Sequence, residues 1–202
     1  MIVMQSIGLP IFKIKQMLVD QRIVDFLIKV GIKASIKQLT ERELLNCFLP
    51  GVLLHAGSLL IDPSADAGDV LHDAGHLAIF PKVIRPYCSQ PTISEPETML
   101  RILRANNIKP TEKDLSALQY CYDDQGPQGW QYAASVNLEL DTMTGFNTGF
   151  DTDQEGIDIH DSIKASIGSF LGHRTSVTLY YLGMLKSKAA FPQMLKWTND
   201  NN

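Results

Sequence analysis

Within the run Leu71-His72-Asp73-Ala74-Gly75-His76-Leu77, two histidines stand four residues apart with a carboxylate directly after the first. Four residues are little more than one helical turn, so on a helix both imidazoles leave from one face and can grip a single divalent cation. The local sequence is bounded as a helix should be. Asp66 suits an N-cap and Pro81 cannot continue the run, which predicts a helix over about 67–79. Gly75 sits inside that helix despite a cost of about 1 kcal/mol relative to alanine. The cost makes sense if another element or a metal shell must approach closely there.

The neighbouring segments predict a mostly helical α+β fold. Val52-Leu53-Leu54-His55 and Ser58-Leu59-Leu60-Ile61 flank Ala56-Gly57, the pattern of a tight hairpin beside the two-histidine helix, and Pro63 ends its second strand. Upstream, residues 13 to 30 carry an apolar stripe at helical spacing with Gly31 placed to cap it. Thr40-Glu41-Arg42-Glu43 reads as a capping box opening a short helix through Cys47. Downstream, Ser94-Glu95-Pro96-Glu97 opens a helix to about Asn106, Thr111-Glu112-Lys113-Asp114 another to about Tyr122, and Gln128 to Leu140 forms a further one. Residues 141–156 are rich in Gly, Thr and Asp and predict a long loop, 157–171 regain helical spacing, and 175–182 suit strand or helix. Met194 to Trp197 is expected to pack on the body ahead of a polar tail. Strands do not alternate regularly with helices, which disfavours a parallel βαβ architecture.

Composition bounds the function classes. The 202 residues are 45% hydrophobic and 20% charged, ordinary globular values that predict one domain over 1–202, with its core in about 13–140 and a C-terminal portion, 141–202, whose packing the pattern does not specify. Net charge is -4 and no basic cluster runs longer than Lys186-Ser187-Lys188, so the electrostatic footprint of a nucleic-acid binder is missing. Residues 1–14 are apolar but lack a basic leading region and a small-residue cleavage site, and Pro10 interrupts them. No stretch approaches the ~20 apolar residues needed to cross a bilayer. Cys47, Cys88 and Cys121 are odd in number and widely spaced, which argues against a disulfide framework and for reduced thiols in a cytoplasm.

A catalytic zinc takes three protein ligands and keeps an open position for water, whereas a structural zinc is closed by four. Only His55, His160 and His173 remain as further imidazoles, so a carboxylate is the natural third ligand. Asp123-Asp124 lies just ahead of the helix containing Trp130, where a ligand can be presented or where either aspartate can simply cap the helix. Glu95 and Glu97 are outside candidates. Imidazole plus carboxylate ligation suits zinc first, with iron, nickel or manganese as alternatives.

Helix, hairpin and then a helix reading VLHDAGHLAIFP resemble the minimal core of the zincins, most of all the bacterial metallopeptidases of ImmA/IrrE type, whose motif reads His-Glu-Ala-Gly-His-Leu-Ala. In such proteins a downstream acidic residue introduces a helix with an Ala-Trp-x-Tyr-Ala-like run, to which DDQGPQGWQYAAS is similar. The resemblance covers about residues 13–80, is weaker over 120–140 and says nothing beyond. It implies His72 and His76 as ligands, Asp124 or Asp123 as the third, and Asp73 in the general-base position. It also implies zinc as cofactor and hydrolysis of a protein or peptide substrate. Aspartate stands where the family has glutamate and is one methylene shorter, which would place its oxygens roughly 1 Å short of an attacking water unless the helix sits closer. Two function classes follow: a metal-dependent, peptidase-like hydrolase, or a zincin scaffold that has lost its base and serves as a metal-containing interaction module.

Overall fold

A computed structural model describes residues 18–90, 92–93, 95–122, 124–140 and 170–200, with the side chains of residues 170–175 excepted. The expectations for residues 13–17, Asp123, 141–169 with His160, and the His173 side chain fall outside these. The chain is α+β, with seven helices and a three-stranded mixed sheet among the described residues. No described helix is long and apolar enough to cross a membrane.

The first helix, α1 (Gln21–Lys29), begins where the Asp20 side chain accepts from the Ile23 backbone N–H, and its stripe of Ile23, Val24, Phe26 and Leu27 is buried. Among the described residues the helix therefore begins at Gln21 and leaves out 18–20, because a cap sets a start that periodicity alone does not. Gly31, at φ +90°, turns the chain out of the helix. The next element was not expected: β1 (Lys33–Ile36) pairs in parallel with β3 (Ser58–Ile61), which in turn pairs antiparallel with β2 (Val52–His55). The sheet order is β1-β3-β2. A parallel pair is thus present without βαβ alternation, since the path from β1 to β3 runs through the short helix α2 (Glu41–Leu44) and through β2. The hairpin turn is as expected, with Ala56 at φ +47° and Gly57 at φ +71°, the left-handed pair that a two-residue turn requires.

The helix α3 spans Ala67–Ile79, the expected range, and Asp66 caps it by accepting from Gly68 N–H. Every residue of α3 except His72 is buried. Such a helix must have its last carbonyls satisfied by the protein itself. Arg85 donates from Nε to the Leu77 carbonyl at 2.8 Å and from its guanidinium to the Phe80 carbonyl at 3.2 Å. Asn199 completes the set, with its backbone N–H on the Ala78 carbonyl at 2.8 Å and its Nδ2 on the Ile79 carbonyl at 2.9 Å. The polar tail expected after Trp197 is therefore a buried cap. Trp197 itself packs edge-on against Phe26 and Trp130, and its carbonyl accepts from Trp130 Nε1 at 2.8 Å.

The remaining helices are α4 (Pro96–Ala105), α5 (Glu112–Leu118), α6 (Gln125–Asn137) and α7 (Phe170–Tyr181). The Thr111/Asp114 capping box forms as expected, but α5 ends at Leu118 and α6 starts at Gln125, ahead of Gln128. Pro127 in the first turn of α6 loses no helical hydrogen bond there, so the earlier start tolerates it. The hairpin strands lie against α3, α6 packs along α3 more extensively than any other element, and α7 packs on α6.

The approach of α6 to α3 is close enough to explain the helical glycine. A Cβ on Gly75 would stand 2.7 Å from the Pro127 carbonyl oxygen and 2.9 Å from its Cα. Gly75→Ala therefore gains about 1 kcal/mol of helix propensity but forces backbone apart. We expect a net loss of roughly 1–3 kcal/mol in urea unfolding, with divalent-metal affinity falling as α6 moves away.

Asp62, buried just after β3, holds the chain that leads into α2. Its Oδ1 accepts from the backbone and hydroxyl of Ser64, and its Oδ2 from Leu39 N–H and Gln38 Nε2. These bonds, the Ser64 hydroxyl foremost, hold its carboxyl below the usual range. Because the folded value is depressed, the stabilisation is present above the unfolded value of about 3.9 and is lost as pH falls through the folded one. Asp62→Asn turns one acceptor into a donor facing donors and should cost about 1–3 kcal/mol at pH 7. The gap to wild type should narrow below about pH 4, as urea titrations at the two pH values will show.

Candidate metal centre

His72 and His76 leave α3 one turn apart, their rings 5.0 Å between centroids and nearly edge-on. Their Nε2 atoms meet one carboxylate oxygen, Asp124 Oδ1, at 3.7 Å from His72 and 3.3 Å from His76. Asp124 occupies the N-cap position of α6 yet makes no side-chain cap bond. Its carboxylate faces the histidines instead, so the capping role weighed for it in the sequence is not the one it takes. The ligand-capable atoms of the three residues lie within 4.8 Å of one another.

These distances discriminate between a direct ion pair and a shared cation. A charge-assisted N–H···O bond closes to about 2.7–2.9 Å, whereas two ligands on a tetrahedral zinc, each about 2.0–2.1 Å from the metal, stand roughly 3.3–3.4 Å apart. The His76 separation matches that edge and the His72 separation exceeds it by a few tenths of an ångström. Three residues of the right donor type thus fit a divalent ion and could hold one.

The electrostatics are those of a pair of imidazoles against a carboxylate. His72, then His76, hold the Asp124 carboxyl far below the usual carboxylate range. Burial works against a charge on His72 and is the largest single influence, but Asp124 and Asp73 together outweigh it and raise the His72 pKa. Asp73 is the reverse case. Burial pushes its carboxyl up, the charges of His76 and His72 oppose this, and the Gln90 amide beside it adds a smaller downward pull. Asp73 is only 1% exposed, and its Oδ2 has no hydrogen-bond partner among the described residues.

Two glutamines that the sequence reading passed over support the cluster. Gln131, on α6 and buried, places its Oε1 3.3 Å from His72 Nδ1. Accepting there fixes a proton on Nδ1 and leaves the Nε2 lone pair free for a metal. It stands seven residues after Asp124, two helical turns on the same face of α6, and that spacing is the signal that could have found it. Gln90 has no such signal. Its Oε1 accepts from Leu54 N–H on β2 at 2.7 Å, which orients the amide and leaves Nε2 as the end toward Asp73. Tyr122 joins them with a buried hydroxyl that has no partner among the described residues.

The other sequence candidates are not gathered here. Glu95 is an exposed residue at the start of α4 whose carboxylate accepts from Thr98, Glu97 is exposed on α4, and His55 is exposed on β2. None belongs to the cluster of His72, His76 and Asp124. The three cysteines are free thiols. Beside the cluster opens a cavity of about 500 Å³ that Asp73, His76 and Asp124 border together with Gln90 and Tyr122.

No protein-family model, curated protein or solved structure matches this chain.

The role of Gln131 is open to direct measurement. Gln131→Leu, which keeps the volume and removes the acceptor, should weaken divalent-metal affinity by about 10- to 100-fold in competition with a chromophoric chelator. Wild-type affinity in that variant would show that the 3.3 Å contact does not organise His72.

Proposed function

We propose that this chain is a metal-dependent hydrolase of the zincin type, acting on peptide bonds, with zinc as its cofactor and His72, His76 and Asp124 as the ligands. The observation that carries this reading is the convergence of two imidazoles and a carboxylate at the edge of a cavity that the buried Asp73, whose Oδ2 has no partner among the described residues, also borders. The helix–hairpin–helix order around the HDAGH run adds support, as does the start of α6 on Asp124. A bound divalent metal would supply Lewis-acid polarisation of a carbonyl and acidification of water.

The residues of the chain supply the rest. Asp73 Oδ2 is free to take the proton of the attacking water and to return it to the departing amine, as a general base and then a general acid. Burial raises its pKa, so once protonated it holds the proton more tightly than an exposed carboxyl would. His72 and His76 are held by the closely packed α3–α6 pair, and Gln131 orients the first of them.

The test is a comparison of variants. His72→Ala and His76→Ala should abolish stoichiometric zinc in protein purified without a histidine tag, and unchanged metal content in both would end the reading. Asp73→Asn should keep zinc and lose turnover by about 100-fold or more on protein and peptide substrates. Zinc in wild type, Asp73→Asn and Asp73→Glu alike, with no cleavage by any of them, would instead assign the scaffold to protein interaction.

A further inference from the structure

A second cavity, of about 230 Å³, is bordered by residues of α5, the end of α7 and the C-terminal segment, and it shares no lining residue with the one beside His76. From α5 come Lys113, Ser116 and Ala117, spaced i, i+3 and i+4 and therefore on one face of the helix. Tyr120 follows just past that helix, and Tyr181 closes α7. Their rings are near parallel, 12° between planes and 6.1 Å between centroids, within the range of an offset-stacked aromatic pair. Tyr181 is 63% exposed, yet its ring is also held by Lys188, whose ammonium stands 5.7 Å from the ring centroid. Asn199, buried and bonded to the Ala78 and Ile79 carbonyls of α3, is a fixed part of the lining. The cavity is thus built from groups that other contacts already hold in place.

We propose that this cavity is a binding site for a small aromatic acid, a single ring carrying a carboxylate on a short stem, with the ring against Tyr120 and Tyr181 and the carboxylate toward Lys113 and the Ser116 hydroxyl. The site stands apart from the His72, His76 and Asp124 cluster and does not depend on what that cluster does. Charge chooses the acid. Among the described residues Lys113 is the one charged residue in the lining, and it has no ion-pair partner. Its sequence neighbours Glu112 and Asp114 leave the helix on other faces, and Asp114 is committed to the start of α5, where it accepts from the Thr111 N–H and hydroxyl. The tyrosine pair chooses the ring, since aromatic contacts are worth more than the area they cover. Volume sets the size. A cavity of about 150 Å³ holds benzene, so 230 Å³ takes one ring with a small acidic group. It falls below the roughly 300 Å³ at which sites for larger ligands begin, which excludes a nucleotide or a peptide segment.

Titration of the full chain with three probes, followed by NMR, separates the contributions of ring and charge. Phenylacetate should bind at least about tenfold more tightly than acetate, which lacks the ring. It should bind about two- to fivefold more tightly than phenylacetamide, which keeps the shape and lacks the charge, and that second difference should close in about 1 M salt. Lys113→Gln, at an exposed position, should bring phenylacetate down to the level of the amide and leave the amide unchanged. Tyr181→Ser should weaken both by about three- to tenfold. Lys82→Gln, exposed and away from the cavity, should change neither. No saturable binding of phenylacetate by wild type overturns the proposal, as does equal binding of acid and amide. Phenylacetate affinity that survives both Lys113→Gln and Tyr181→Ser places the acid elsewhere on the chain, a metal held by His72 and His76 included, and overturns it too.

Discussion

The close contact between Gly75 and Pro127 is the constraint on which the site depends. Helices with ordinary side chains at their crossing keep axes about 8–10 Å apart. A missing Cβ at Gly75 lets the backbone of α6 come to van der Waals distance from α3. Pro127 lies in the first turn of α6, three residues after Asp124, so the contact that presses the helix start onto α3 also carries that carboxylate over His72 and His76. Gln131 follows one turn after Pro127 and reaches His72 from the same helix. One steric vacancy on α3 thus places two groups from α6 at once. Ligand geometry has to be met within a few tenths of an ångström, and rigid helix-on-helix packing delivers that where a loop would not.

Burial of α3 sets the energetic terms. A helix enclosed on nearly all sides gains from its apolar residues but strands its carbonyl ends and every polar side chain it carries. The ends are resolved by Arg85, which lies just past the helix, and by Asn199, which comes from a distant part of the chain and ties the C-terminal segment to the middle of the fold. The side chains are resolved less completely. His76 Nδ1 and Asp73 Oδ2 are buried without a partner among the described residues. A partnerless buried polar atom costs about 1–3 kcal/mol, and such costs concentrate where chemistry needs them. The C-terminal cap on α3 and the aromatic cluster of Phe26 on α1, Trp130 on α6 and Trp197 help to offset that cost.

What the sequence made legible was local. The α3 limits follow from Asp66 and Pro81, the hairpin from Ala56-Gly57, and the α2 and α5 starts from threonine capping boxes, because each signal lies within a few residues of what it specifies. The four residues of β1, Lys33-Ala34-Ser35-Ile36, alternate over too short a run to stand out and are mostly exposed, so their strand character comes from β3 and not from their own pattern. The same reason hid Asn199, Gln90 and Tyr122, whose roles are defined by partners far along the chain. For the cluster of His72, His76 and Asp124, the histidine pair was readable from helical spacing. Asp124 was readable only as one of two aspartates ahead of a helix, since a cap and a candidate ligand look alike until the opposing helix is in place. Leu44, Leu45 and Phe48 look like core residues in sequence, and only the fold shows them exposed.

The packing also bears on the length of the carboxylate at position 73. The side chain is enclosed, with the Gln90 amide beside it and that amide tethered to β2 through Leu54 N–H. The same side chain borders the cavity of about 500 Å³, so a longer carboxylate would meet the Gln90 amide on one side and open space on the other. The amide is the less yielding of the two, because its acceptor is already committed to the sheet. Reach toward the cavity, and not room, is therefore what separates aspartate from glutamate at this position.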